Sequence, residues 1–167
     1  MADSSVVATR RDGTITITDG AGSPSSYAVS FEVGDFSAAE PKADRVVIRD
    51  RGAIVGLRKG DDPVITFSFS VHMRSLTDST ADNILDRLYN RGFHGGSPLT
   101  STGGDGFEQF LQTVAFEVDT SAVGSGKTYT ATYAKCLMEV SSLSESADGN
   151  TIEVSGECYG GVTYAQS

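Results

Sequence analysis

The chain has 167 residues, 38% hydrophobic and 21% charged, enough for one domain with a real core and no need of disulfide or metal staples. Thirteen basic residues against 22 acidic ones leave a formal charge of -9, a field that repels phosphate polymers and disfavours a nucleic-acid binder. Cys136 and Cys158 are too few for a disulfide framework or a zinc set, and the absence of a signal-like or membrane-spanning apolar run leads us to expect synthesis in a reducing cytoplasm.

The first element is "GTITITDG", in which Ile15 and Ile17 alternate with Thr14, Thr16 and Thr18 between Asp-Gly turn pairs, the pattern of a half-buried strand. "YAVSFEVG" puts Tyr27, Val29, Phe31 and Val33 on one face, and the two segments can pair as a hairpin across 19–26. The strongest strand is "PVITFSFSVHMR": Ile65, Phe67, Phe69, Val71 and Met73 face a core while Thr66, Ser68, Ser70, His72 and Arg74 face water. In "TDSTADNILDRLYNRG" the period changes, and Ala81, Ile84, Leu85 and Leu88 form a helix stripe over 79–91, with Asp78 or Ser79 as cap and Gly92 as stop.

Beyond the glycine-rich "GFHGGSPLTSTGGDG", "TVAFEVD" alternates again, "KTYTATYAKCLMEV" reads as a long strand, and "TIEVSGECYG" returns across Asp148-Gly149 as a terminal hairpin. The register of that hairpin, and with it the separation of Cys136 from Cys158, is not fixed by the sequence. Strands with a single helix give a mainly β protein, a β-sandwich or barrel with one helix on its flank.

Catalytic, metal and cofactor residues are expected to be absent. "SAVGSGKT" has Gly126, Lys127 and Thr128 as a phosphate-binding loop would, but Ser121 stands where the first glycine belongs and the following residues favour a strand over the required helix. His72 and His94 lack partners at metal-ligand spacing, and the adjacent Asp61 and Asp62 diverge at a strand start, which suits a turn or ion pairing to Arg58 or Lys59. The polar strand faces collect Ser30, Glu32, Ser68, Ser70, Glu117, Glu153, Ser155 and Glu157, with few lysines or aromatics. Such a wall is hydrated and negative, and offers a sliding polyanion no sticky sites.

"RRDGTITITDG", "GDFSAAEPKADRVVIRDRGAIVGLRKGDDPVITFSFSVHMR" and "STADNILDRLYNRG" together resemble major tail tube proteins of long-tailed bacteriophages, over Arg10 to Gly92. The match is looser from Gly92 to Gly106, and no appended immunoglobulin-like domain is expected. The resemblance implies one tail-tube domain over 1–167 that assembles into six-subunit rings, stacked as a hollow tube through which DNA passes without specific binding. It further implies a virion-tail location, tape-measure, tail-tip and tail-terminator proteins as partners, and a long loop reaching the adjacent ring, matched here by Phe36 to Asp62.

In that loop Ile54, Val55 and Leu57 are expected to be buried on stacking, while Arg49, Arg51, Arg58, Lys59, Asp61 and Asp62 set register. Lumen-facing candidates are Glu32, Ser68, Ser70, Glu117, Glu153 and Glu157. Two rivals remain: the inner tube of a contractile tail or secretion system, and a solitary β-sandwich glycan-binding module, which the absence of Trp makes less apt.

Overall fold

The computed structural model describes residues 13–29, 36–72, 84–90, 98–104, 106–120, 126–146 and 149–167. They form strands β1 (Gly13–Thr18), β2 (Ser26–Val29), β3 (Ser37–Ala39), β4 (Arg45–Asp50), β5 (Ala53–Lys59) and β6 (Ile65–His72), helix α1 (Ile84–Tyr89), and strands β7 (Gln112–Asp119), β8 (Thr128–Ser146), β9 (Gly149–Cys158) and β10 (Val162–Gln166). Among the described residues, eight strands make one antiparallel sheet in the order β2-β1-β7-β8-β9-β6-β3, with β10 also on β8, and β4 and β5 pair only with each other.

The 19-residue β8 is shared by both halves of the large sheet. Its first part pairs with β7 on one edge and β10 on the other, and its second part pairs with β9, which in turn carries β6. Between the two parts Tyr133 pairs with Val162 and Cys136 with Cys158, so the returning chain has one residue more than β8. Gly160 N–H donates to the Ala134 carbonyl at 2.9 Å, and Ala134 N–H donates to the Gly161 carbonyl at 3.1 Å, so two glycines oppose one alanine in a bulge. Lys135 (φ 55°) and Gly161 (φ 79°) adopt the left-handed backbone this requires, and a Cβ on Gly160 would lie 2.7 Å from the Ala134 oxygen.

The sheet curls at this place. In a flat sheet β6 and β7 would stand about 14 Å apart, three strand spacings. Yet Phe36 stacks on Phe116 of β7 at 4.7 Å and reaches Phe67 of β6 at 6.3 Å. One core results, with Ile15, Ile17 and Val114 from one half and Phe67, Phe69, Val71, Ile152 and Val154 from the other. Each such buried side chain contributes about 1.5–3 kcal/mol of transfer free energy. Among the described residues the sheet stays open, because its order ends at β2 and β3 without joining them.

Helix α1 buries Ile84 and Leu88 of the expected stripe. The sequence does not announce the role of Arg87, which is fully buried and donates to the carbonyl of Ser25 at 3.1 Å and to its hydroxyl at 2.6 Å, while its own carbonyl accepts from Gln112 Nε2 at 2.9 Å. Asn90 ends the helix at φ 49° and clasps Leu99 with both ends of its amide, at 3.0 and 2.6 Å. Residues 79–83, Gly92 and Met73 lie outside the described residues.

Gly156 sits opposite Phe67 in the β6–β9 register, and a Cβ there would come within 2.2 Å of the Phe67 ring. That ring is held by Phe69 and Tyr133, so it cannot simply swing away. Gly156→Ala should cost about 1–3 kcal/mol by overpacking, read as a lower urea midpoint at unchanged slope.

Candidate assembly surfaces

The segment from Phe36 to Asp62, expected as one long loop, is instead β3 followed by a projecting hairpin. Strict alternation fails there because Val46-Val47-Ile48 and Ile54-Val55 are consecutive aliphatic residues. β-Branched side chains nonetheless favour extended backbone on any half-covered surface. The turn is a two-residue one, Arg51-Gly52, with both residues at positive φ (47° and 87°), a combination whose twist matches the paired strands. A register shift between Ile48 and Arg49 leaves Val55 as the extra residue of β5.

No residue of β4 or β5 is buried. Ile54, Val55 and Leu57 are 64%, 62% and 60% exposed, and Val46, Val47 and Ile48 are also open to solvent. The register groups Val47 with Leu57 and Arg49 with Ile54, and sets Val46 against Arg58. Each face therefore mixes aliphatic groups with a basic end. Arg45, Arg49, Arg51, Arg58 and Lys59 face only Asp50 as an opposing charge within the hairpin, which makes it locally positive on a chain of net charge -9. Lys59 pairs with Asp62 in solvent, an ion pair of about 0.2–1 kcal/mol that steers more than it stabilises. Asp61 is exposed beside it.

The base of the hairpin is closed by Gly60 N–H donating to the Asp44 carbonyl at 2.7 Å and Arg45 N–H donating to the Asp44 carboxylate at 2.8 Å. Glu40, between β3 and the hairpin, accepts a hydrogen bond from the Tyr164 hydroxyl of β10. Tyr133 lies beside the same carboxylate; burial first, and Glu40 second, push its phenol up to about 12. The Tyr164 phenol is raised too, chiefly by its hydrogen bond to Glu40, and its ring stacks on Tyr129.

The lumen candidates divide. Ser68 pairs with Ser155, Ser70 with Glu153 and Thr66 with Glu157, and across the next strand Ser155 meets Glu139 and Glu153 meets Ser142. Ser68, Ser70, Glu153 and Glu157 thus share one polar surface, to which β8 adds Glu139. Glu139 escapes the sequence pattern because β8 sets Ala134 and Lys135 against the single Thr113 of β7, and that irregularity shifts the parity of the strand. Glu117 stands on the other half of the sheet, paired with Thr14 and Thr130, and does not join this surface. Glu32 lies outside the described residues.

The nucleotide-loop pattern does not lead into a helix: Lys127 is exposed and Thr128 opens β8, with Thr120 N–H donating to the Lys127 carbonyl at 3.0 Å to close the β7–β8 connection. Residues 121–125 and His94 lie outside the described residues, and His72 ends β6 beside Gly149. Among the described residues, no group of three His, Cys, Asp or Glu side chains could hold a metal ion, and no helix is long and apolar enough to cross a membrane.

No protein-family model and no curated protein matches the chain. Solved structures do. A chain of the anti-feeding prophage cap, a tube-terminating cap, is similar at a TM-score of 0.60 and 12% identity, covering 100% of this chain and 95% of that one. A chain of the PVC sheath–tube complex of an extracellular contractile injection system in its extended state gives 0.56 and 9%, covering 98% and 93%. A chain of the PVC sheath/tube terminator gives 0.56 and 10%, covering 97% of each. At these identities the likeness establishes the fold: this chain has the mainly antiparallel β architecture found in those assemblies.

The two phenols titrate higher in the folded chain than in the unfolded one, so their contribution is complete below pH 10 and is lost as the pH rises from 10 toward 12. Stability should fall over that window, and Tyr164→Phe should flatten the fall when urea midpoints are measured from pH 9 to 12.

Proposed function

We propose that the protein is a structural subunit of a phage-tail-like tube, assembling through copies of itself into stacked rings around a hollow channel. The observation that carries this reading is the β4–β5 hairpin, which exposes six large aliphatic side chains on an arm that shares no hydrogen-bonded ladder with the body. An isolated two-stranded hairpin is marginal in water, so a surface of this kind gains its stability from a partner. A second copy is the fitting occupant, because the arm is basic and the body it leaves is acidic.

In the assembled tube, Ile54, Val55 and Leu57 pack against the next ring, and Arg49, Arg51, Arg58, Lys59, Asp61 and Asp62 fix the register. Ser68, Ser70, Glu153 and Glu157 line the channel, where an acidic, hydroxyl-rich wall without lysines would let a polyanion pass. The open ends of the sheet at β2 and β3 supply edges through which neighbours in a six-membered ring extend the sheet, which would also cover edges that otherwise invite aggregation. Two of the similar solved structures come from an extracellular contractile injection system, which favours the inner tube of a contractile assembly over the long-tailed phage tube that the sequence resembles.

A second reading is a tube-terminating ring, supported by the likeness to the anti-feeding prophage cap. Electron microscopy of the concentrated protein separates the two: a tube subunit gives hollow rods, a terminator gives single rings. A persistent monomer would instead favour the solitary binding module. Val55→Asp and Leu57→Asp should each give soluble, folded protein that no longer forms rods. Normal tube length in either variant would falsify the arm assignment.

A further inference from the structure

The two cysteines, 22 positions apart in sequence, are direct partners in the β8–β9 register. Tyr159 N–H donates to the Lys135 carbonyl at 3.2 Å, one position along each strand, the ladder pattern that makes Cys136 and Cys158 a non-hydrogen-bonded pair. Facing Cα atoms in such a pair stand about 4.5 Å apart, inside the range of roughly 4.4–6.8 Å that a disulfide spans. Both side chains are buried at 1% exposure on the core face of the sheet, next to the bulge. Both are free thiols.

We propose that Cys136 and Cys158 form an oxidation site, at which a small peroxide converts the dithiol into an intrachain disulfide that ties β8 to β9 at the bend of the sheet. Cys158 is the nucleophile. Its sulfur lies 3.0 Å from the Ala134 carbonyl and 3.3 Å from that of Gly161, at the irregular end of the ladder, whereas Cys136 sits within the regular core, its sulfur 3.3 Å from the Tyr133 carbonyl. The hydrogen bond from Cys136 also draws the Cys158 thiol down to about 7 and, with burial, pushes Cys136 up.

The Cys158 thiolate attacks one peroxide oxygen, the O–O bond breaks, and a sulfenic acid and hydroxide form. Hydroxide takes the proton of Cys136, whose sulfur then attacks the sulfenic sulfur. The S–S bond forms as the S–O bond breaks, and the departing hydroxide takes up the proton that Cys158 gave to solvent on ionising and leaves as water. Two thiols and one peroxide give one disulfide and two waters, with two electrons passing from sulfur to oxygen. Burial restricts the reaction to oxidants as small as hydrogen peroxide.

This site is independent of the tube reading, since both thiols and the bend belong to one chain. The test treats the folded full-length protein with hydrogen peroxide, removes the oxidant, unfolds the chain and blocks remaining thiols with N-ethylmaleimide. Expected is a mass lower by two hydrogens with no maleimide added, a peptide joining Cys136 to Cys158 that dithiothreitol separates, and a melting temperature raised on the order of 5–10 °C over the reduced form. Cys136→Ser and Cys158→Ser should each abolish all three. Two maleimide adducts under conditions that oxidise the urea-unfolded chain would overturn the proposal. So would a product that gains oxygen without losing both thiols, a disulfide-linked dimer on a non-reducing gel, or equal melting of the two forms.

Discussion

The irregularity around Ala134 governs the curl of the large sheet. Because Gly160 and Gly161 together oppose Ala134, the longest hairpin cannot continue flat, and its two ends are committed to different halves of the sheet. Everything attached to β7 is thereby turned toward everything attached to β6, and the aromatic contacts of Phe36, Phe67, Phe116 and Tyr133 become possible. The backbone cost at Lys135 is repaid by the core that the bend encloses.

Charge is segregated along the same architecture. The body carries Glu139, Glu153 and Glu157 among serines on one outer sheet surface, while the arm concentrates arginine around aliphatic side chains. In the assembly proposed above, these opposite charges would orient approaching copies before any contact is made and would disfavour arm-to-arm encounters between like charges. Hydrophobic surface bounded by charge is thus kept from indiscriminate association.

The strands with clean alternation were legible from the sequence: Ile15 and Ile17, and the run from Ile65 to Val71, bury the side chains that period two assigns inward. The arm was legible as chemistry but not as structure, since consecutive valines and isoleucines carry no period when neither face is covered. The reading of β8 broke at Lys135, because a bulge reverses parity without leaving a mark on composition. What no local pattern could supply was tertiary: Arg87 reads as a surface helix residue until the β1–β2 turn places Ser25 over it, and the facing of Cys136 with Cys158 depends on where the bulge falls. The division of the acidic residues between two outer surfaces has the same origin, for alternation says which side of a strand a residue takes and nothing about how the sheet curls.

The arm shares no core residue with the body, and this separates two kinds of selection that act on most proteins together. A change in the body is felt first in folding, whereas a change at Ile54 or Leu57 leaves the packed interior untouched and, in the assembly proposed above, would be felt only when another copy docks. In that assembly, recognition could therefore drift while the scaffold stays fixed, so that chains of similar architecture and little common sequence would each accept their own kind and refuse one another's.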